Sequence, residues 1–160
     1  MSGMSKIVKT MSNIIFPLIL IFGLYVIAHG HLTPGGGFQG GAIVASGCAM
    51  ILVAYGSVWT MNHVKEKRLS ILESTGAVCF IGLAILGLIF GLVFFKNFLV
   101  DQSAVPLFNQ VAMGLSNINT AGVLPLMNFA VGLKVIAGLF AIVLVMAFAT
   151  TWVKKEGGSK

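Results

Sequence analysis

Charge is the scarcest thing in this sequence. Asp, Glu, Lys and Arg make up only 9% of its 160 residues, against about 25% in an average soluble domain. Just 4 residues are acidic. That scarcity excludes a disordered chain, which needs many charges and few apolar groups. It equally excludes an ordinary cytosolic enzyme. Cysteine is scarce too. Cys48 and Cys79 both lie inside apolar runs, where a thiol behaves as a small hydrophobe. Two such residues build no disulfide scaffold and report little about redox compartment.

What is present is apolar. Hydrophobic residues account for 58% of the chain, with 20 glycines besides, and the mean hydropathy is +1.01. Those values describe an integral membrane protein. A spanning helix needs about 20 mostly apolar residues. Four runs qualify, at residues 13–28, 38–61, 71–95 and 126–153. Transmembrane β-strands would be about 10 residues long and alternate in polarity, which these runs do not. The expectation is an all-α polytopic membrane protein, a single membrane domain over residues 1–160.

The basic residues set the orientation. Lys6 and Lys9 precede the first run. Lys65, Lys67 and Arg68 separate the second and third. Lys154, Lys155 and Lys160 follow the fourth. Only Lys96 lies between spans on the opposite side. The positive-inside rule then places both termini in the cytoplasm. The net charge of +6 reads as topology and not as nucleic-acid binding, since no basic stripe alternates with exposed aromatics. A secretory signal peptide is the rival reading of residues 1–28. The glycine-rich turn leading straight into another span favours a hairpin.

Between the third and fourth spans, apolar positions Leu107, Phe108, Val111, Ala112, Leu115 and Ile118 recur at helical spacing. They predict a short external amphipathic helix. It lacks the basic face of a lipid-binding helix, so packing on protein is the favoured reading.

The turn after the first span is rich in glycine. Gly35, Gly37 and Gly40 spell G-x-G-x-x-G, but a dinucleotide site needs a preceding strand and a downstream acid. Here the preceding element is a membrane helix. Gly37, Gly41, Ala45 and Ala49 recur every four residues, and such a stripe lets helix backbones approach closely. A tight structural hairpin and the lining of an ion path are the two readings.

Lys134 is the sharpest residue. It lies about 12 Å along the helix from Leu126, among Ala130, Ala137, Gly138 and Ala141. Small residues mark a helix-contact face, so the ammonium is expected to point into protein. A cation at that depth is a functional-site hypothesis by default. The alternative is a structural ion pair with a neighbouring helix. Glu73 is expected near the cytoplasmic end of the third span, where an acid suits the helix dipole. On that placement it stands roughly 20 Å from Lys134 across a core of about 30 Å, so the partner of Lys134 is expected from another polypeptide. His29 and His31 close the first span and His63 the second. Histidines split across two faces make no metal site, but His31 is a candidate for proton entry. No nucleophile–base constellation, phosphate loop or cofactor motif is present, so the chain alone is not expected to be an enzyme.

The run Gly30-His31-Leu32-Thr33-Pro34-Gly35-Gly36-Gly37-Phe38-Gln39-Gly40-Gly41 resembles the signature of the MnhB/MrpB family, with Leu32 where an Asn is common. Asn128-Phe129-Ala130-Val131-Gly132-Leu133-Lys134 resembles the family's second motif, which places a lysine in the last helix. The resemblance implies a small membrane subunit of a multisubunit, Mrp-type Na⁺/H⁺ antiporter module. Related modules occur within archaeal membrane-bound hydrogenases and ferredoxin-dependent, sulfur-reducing complexes. It implies Na⁺ or H⁺ as transported ions, other membrane subunits as partners and the plasma membrane as location. It carries over Lys134 and Gly35, Gly36, Gly37, Gly40 and Gly41. Glu73 and His31 are further ion-path candidates from their positions in the chain. A structural scaffold and a stand-alone small transporter are the competing functions.

Overall fold

The structure, a computed structural model, describes residues 4–32, 35–99 and 121–157. Among the described residues every regular element is a helix. They are α1 (Lys6–Ala28), α2 (Gly36–Tyr55), α3 (Ser57–His63), α4 (Glu66–Gly91) and α5 (Leu124–Gly157). All but α3 are long and apolar enough to cross a membrane. The external amphipathic helix expected over residues 107–118 lies outside the described residues.

Helix boundaries depart from the hydropathy runs, because polar residues extend helices beyond the apolar core. α1 begins at Lys6, seven residues before its apolar run. α4 begins at Glu66 and not at 71; Glu66 stands in the first turn, where the helix dipole favours a carboxylate. α4 also ends at Gly91, ahead of the expected 95. Leu92 follows in the left-handed region, with φ 57°, and stops the helix. The second run is not one helix. Gly56 adopts φ 91° and ψ 155°, a conformation that glycine tolerates and other residues avoid. It ends α2 and starts the separate helix α3.

The four spans form two antiparallel pairs, α1 with α2 and α4 with α5, joined where α2 packs on α5. α2 is the central helix. Of its most apolar 18-residue window 44% is buried, against 17% for α1 and for α4. Glycine makes this possible, because α2 carries glycines on two faces. Gly36 and Gly40 face the end of α1, and a Cβ on Gly40 would stand 2.6 Å from the Gly23 carbonyl oxygen. Gly37 and Gly41 face α5, where a Cβ would stand 2.8 Å from the Asn128 carbonyl oxygen and 3.0 Å from that of Gly132. Toward the other end, Leu52, Leu69, Phe140 and Leu144 close an apolar core between α2, α4 and α5.

Each end of the bundle has its own fastening. At the basic end the Met4 N–H donates to the Ala54 carbonyl at 3.0 Å. The Asn13 amide meets the Tyr55 hydroxyl at 2.8 Å, and the Lys9 ammonium stands 5.4 Å from the Tyr55 ring centre. Tyr55, Trp59 and His63 then stack in series at 4.5 and 4.1 Å, carrying the chain across the Gly56 break. At the opposite end Asn97 acts as a clamp. Its Nδ2 donates to the Ala121 carbonyl at 3.0 Å, and its Oδ1 accepts from the Val123 N–H at 2.9 Å. That clamp holds the exit of α4 beside the entry of α5.

Candidate functional site in the groove between α4 and α5

Lys134 lies ten residues into α5, about 15 Å from its start and so near the middle of a core of about 30 Å. Its buried neighbours Ala130 and Ala137 form the contact face that the small-residue pattern predicts. Lys134 itself is exposed. It stands at the edge of that face and not inside the bundle. Together with Gly76, Ala77, Phe80, Ile81, Ala130 and Val131 it lines a cavity of ≈ 330 Å³ between α4 and α5. The cavity is predominantly apolar, and Lys134 is the one charged residue in its wall.

Gly76 sets the register between the two helices. A Cβ there would stand 2.7 Å from the Ala130 carbonyl oxygen, 2.9 Å from the Lys134 nitrogen and 3.1 Å from the Lys134 Cβ. Only a bare glycine lets α4 lie this close to the backbone that carries the lysine. Three residues before Gly76, Glu73 is half-buried. Its carboxyl carbon stands 3.5 Å, and its Oε1 3.6 Å, from where a Cβ on Gly138 would be. Gly138 is one helical turn beyond Lys134.

The expected 20 Å between Glu73 and Lys134 is therefore wrong. On the helix axes they differ by about one turn, roughly 5 Å. The error comes from the start of α4. Because the helix begins at Glu66 and not at 71, Glu73 lies about 10 Å inside it. The antiparallel packing does the rest. An acid of this chain thus stands within about one turn of the Lys134 level, which the expectation of a partner from another polypeptide did not allow for.

The other candidates lie elsewhere. Gly30 stands against Gly36 and within 2.8 Å, measured from an added Cβ, of the Asn128 Nδ2. The start of the glycine-rich turn therefore meets the first turns of α5. His31 belongs to this end. Asn128 and Lys134 are six residues apart, about 9 Å along α5, so the structure does not bring His31 into the groove. Both ring nitrogens of His31 are shielded, and neither has a hydrogen-bond partner among the described residues. A buried ring nitrogen left unpaired costs about 1–3 kcal/mol. His29, by contrast, stacks on Tyr25 at 4.2 Å. No group of three or more metal-ligating side chains occurs among the described residues.

Two participants are not singled out by the sequence. Asn97 carries no motif, although a lone Asn after a glycine-ended apolar run is a fair signal for a clamp. Asn128 is visible only as part of a family-like run. Its side chain reaches the Gly30–Gly36 crossing, a contact that no local pattern encodes.

Comparison with known proteins places this architecture. Residues 7–154 match the family model of a domain related to the MnhB subunit of Na⁺/H⁺ antiporters. An uncharacterised protein of Methanocaldococcus jannaschii is 35% identical over 138 residues, covering 84% of this chain and 49% of that protein. A Na⁺/H⁺ antiporter subunit of Bacillus subtilis is 41% identical over 49 residues, 31% of this chain and 34% of its own length. A putative antiporter subunit mnhB2 of Staphylococcus saprophyticus is 28% identical, covering 73% of this chain and 82% of that protein. Among solved structures, a chain of the membrane-bound sulfane sulfur reductase, an archaeal respiratory membrane complex, superposes with a TM-score of 0.65 at 26% identity. The match covers 91% of this chain and 61% of that chain. The chain thus spans about half the length of its Methanocaldococcus relative.

Proposed function

The chain belongs to the MnhB family, and from that premise we propose that it is a non-catalytic membrane subunit of a multisubunit cation/proton antiporter module. The module is proposed to sit in a larger respiratory complex that couples electron transfer to Na⁺ or H⁺ movement. Other membrane subunits are its partners, and Lys134 and Glu73 line or adjoin an ion path.

The observation that carries this reading is Lys134. A cation exposed on the side of a helix at mid-membrane depth is costly against lipid. The groove at Lys134 is therefore covered by another subunit or filled with water in the assembled protein. His31 fits the same picture, because its two unpaired ring nitrogens call for a partner that the described chain does not provide.

Lys134→Met in the assembled complex tests the role. It keeps the length of the side chain and removes the charge. Loss of coupled cation transport with the complex intact on blue-native gels is the expected result. Normal transport by an intact Met complex would refute it. A small homo-oligomer in mild detergent would instead favour a stand-alone transporter.

A second reading is a scaffold that holds larger subunits together, which would not draw on the α2 glycines, since these pack against α1 and α5 of the same chain. In that case Lys134→Met leaves transport unchanged, whereas Gly41→Leu, which would force α2 from α5 within this chain, lowers the yield of the protein itself under either reading. Sidedness also belongs to the proposal. Lys6, Lys9, Lys65, Lys67, Arg68, Lys154 and Lys155 lie at one end of the bundle, and we place that end in the cytoplasm. Cysteines introduced at Ser5 and at Asn62 should resist impermeant thiol reagents from outside, whereas one at Leu32 should react.

A further inference from the structure

We propose that Glu73 is the in-chain counter-charge of Lys134, and that the two work as one coupled charge site across the groove between α4 and α5. The proposal deepens the ion-path reading and rests on it only for what the site is used for.

The register argument comes first. Gly76 brings α4 against the Lys134 backbone, and the Glu73 carboxylate comes to rest over the bare backbone of Gly138. An acidic side chain at position 138 would put its carboxylate in the same region. Glu73 thus occupies, from the neighbouring helix, the place of an acid four residues beyond Lys134. Oppositely charged side chains at that spacing on one helix face are within reach of each other. Gly138 leaves the carboxylate at ordinary contact distance even from an added Cβ, and a side chain longer than alanine there would displace it.

Elimination leads to the same pair. The four acids of the chain are Glu66, Glu73, Asp101 and Glu156. Glu66 opens α4 and Glu156 lies in the last turns of α5, both at the basic end. Asp101 lies outside the described residues. α2 has no charged residue, and α1 has none beyond Lys9. Glu73 is thus the acid that the described spans place at the level of Lys134.

Side-chain direction gives the pair two arrangements. Side chains lean toward the N-terminus of their own helix. α4 and α5 are antiparallel, so the two lean apart. Lys134 leans toward Ala130 and Val131, with which it lines the cavity, while Glu73 leans toward the basic end. Contact between the charges then needs a change of rotamer and no backbone motion. When the heads are apart, the Glu73 carboxylate is left to a proton or a monovalent cation, for which the Lys134 ammonium is a built-in competitor. Glu73 is thus a positioning residue for Lys134.

A mutant cycle in the whole complex tests this. Glu73→Gln, Lys134→Met, the double variant and the charge swap Glu73→Lys with Lys134→Glu are compared in membrane vesicles. Two quantities are read, the yield of assembled complex and the Na⁺ dependence of coupled transport. A coupled pair predicts that the double variant is no worse than the poorer single one, a coupling of about tenfold or more. It predicts that the swap recovers assembly and part of the transport lost by either single variant. It also predicts that Glu73→Asp shifts the half-saturating Na⁺ concentration more than the maximal rate. Multiplicative losses in the double variant, together with a swap no better than the singles, would overturn the pairing. If the singles fail to assemble, the yields of the double and the swap decide the matter alone. Failure of the ion-path reading would look different. Transport would then be indifferent to all four variants, while coupling in assembly yield persisted.

Discussion

Placing a single methyl group on Gly40 should separate α1 from α2. The added carbon would stand 2.5 Å from the Ile27 Cγ1, 2.6 Å from the Gly23 carbonyl oxygen and 2.9 Å from the Ile27 nitrogen. Ordinary contact begins at 3.4 Å, so the gap is short by about 0.8 Å at an atom that cannot rotate away. Two of the three obstacles are backbone. The third belongs to Ile27, which is 1% exposed and has nowhere to go. Relief therefore requires α1 itself to shift, and overpacking of this kind costs about 1–3 kcal/mol. Alanine returns up to about 1 kcal/mol through helix propensity. Gly82→Ala supplies the control. It lies in mid-α4 with nothing within 4 Å of the added carbon, so it gains the propensity term alone. Thermal unfolding of the detergent-solubilised protein should show Gly82→Ala at or above wild type and Gly40→Ala several degrees below it, at about 2–4 °C per kcal/mol for a chain of this size. If the two variants melt together, the approach of α1 to α2 is looser than these distances state, and the glycine argument fails with it.

Asn97→Ala should orphan the buried Ala121 carbonyl and the Val123 N–H together and cost about 2–3 kcal/mol. The expected readout is a lower melting temperature with faster proteolysis between α4 and α5, and Asn97→Asp, which keeps the acceptor and loses the donor, should fall between. Leu92→Gly should stabilise the protein by about 1 kcal/mol, because Leu92 holds φ 57° in the left-handed region and, at 90% exposed, gives up little packing; a melting temperature below wild type would show that its side chain is needed.

How much is legible in the sequence differs from residue to residue. The stripe through Gly37 and Gly41 is visible as a spacing, and the structure sets both residues against α5. That Gly36 and Gly40 serve a different helix is not visible, since a run of glycines carries no marker of which neighbour each one meets. Lys134 stands out because a cation inside an apolar run is rare, but its exposed position at the groove edge comes only with the helix packing. Glu73 is misplaced by hydropathy. A hydropathy run starts where apolar residues start, whereas a helix starts where its backbone hydrogen bonds do, and at α4 these points are five residues apart.

Four apolar runs long enough to span a bilayer, the sorting of basic residues to alternate connections and the glycine-rich hairpin were determined by the sequence alone. All three are local. Each depends on the free energy of moving a short segment out of water, or on the steric freedom of one residue type, and each is written in consecutive residues. The order in which the spans pack, the break at Gly56, the Asn97 clamp and the placing of Glu73 within about one turn of the Lys134 level were decided only by the tertiary structure. The last joins residues 61 positions apart in the chain. It rests on Gly76, which lets α4 lie against the Lys134 backbone in one particular register, and register between helices is a property of both surfaces at once.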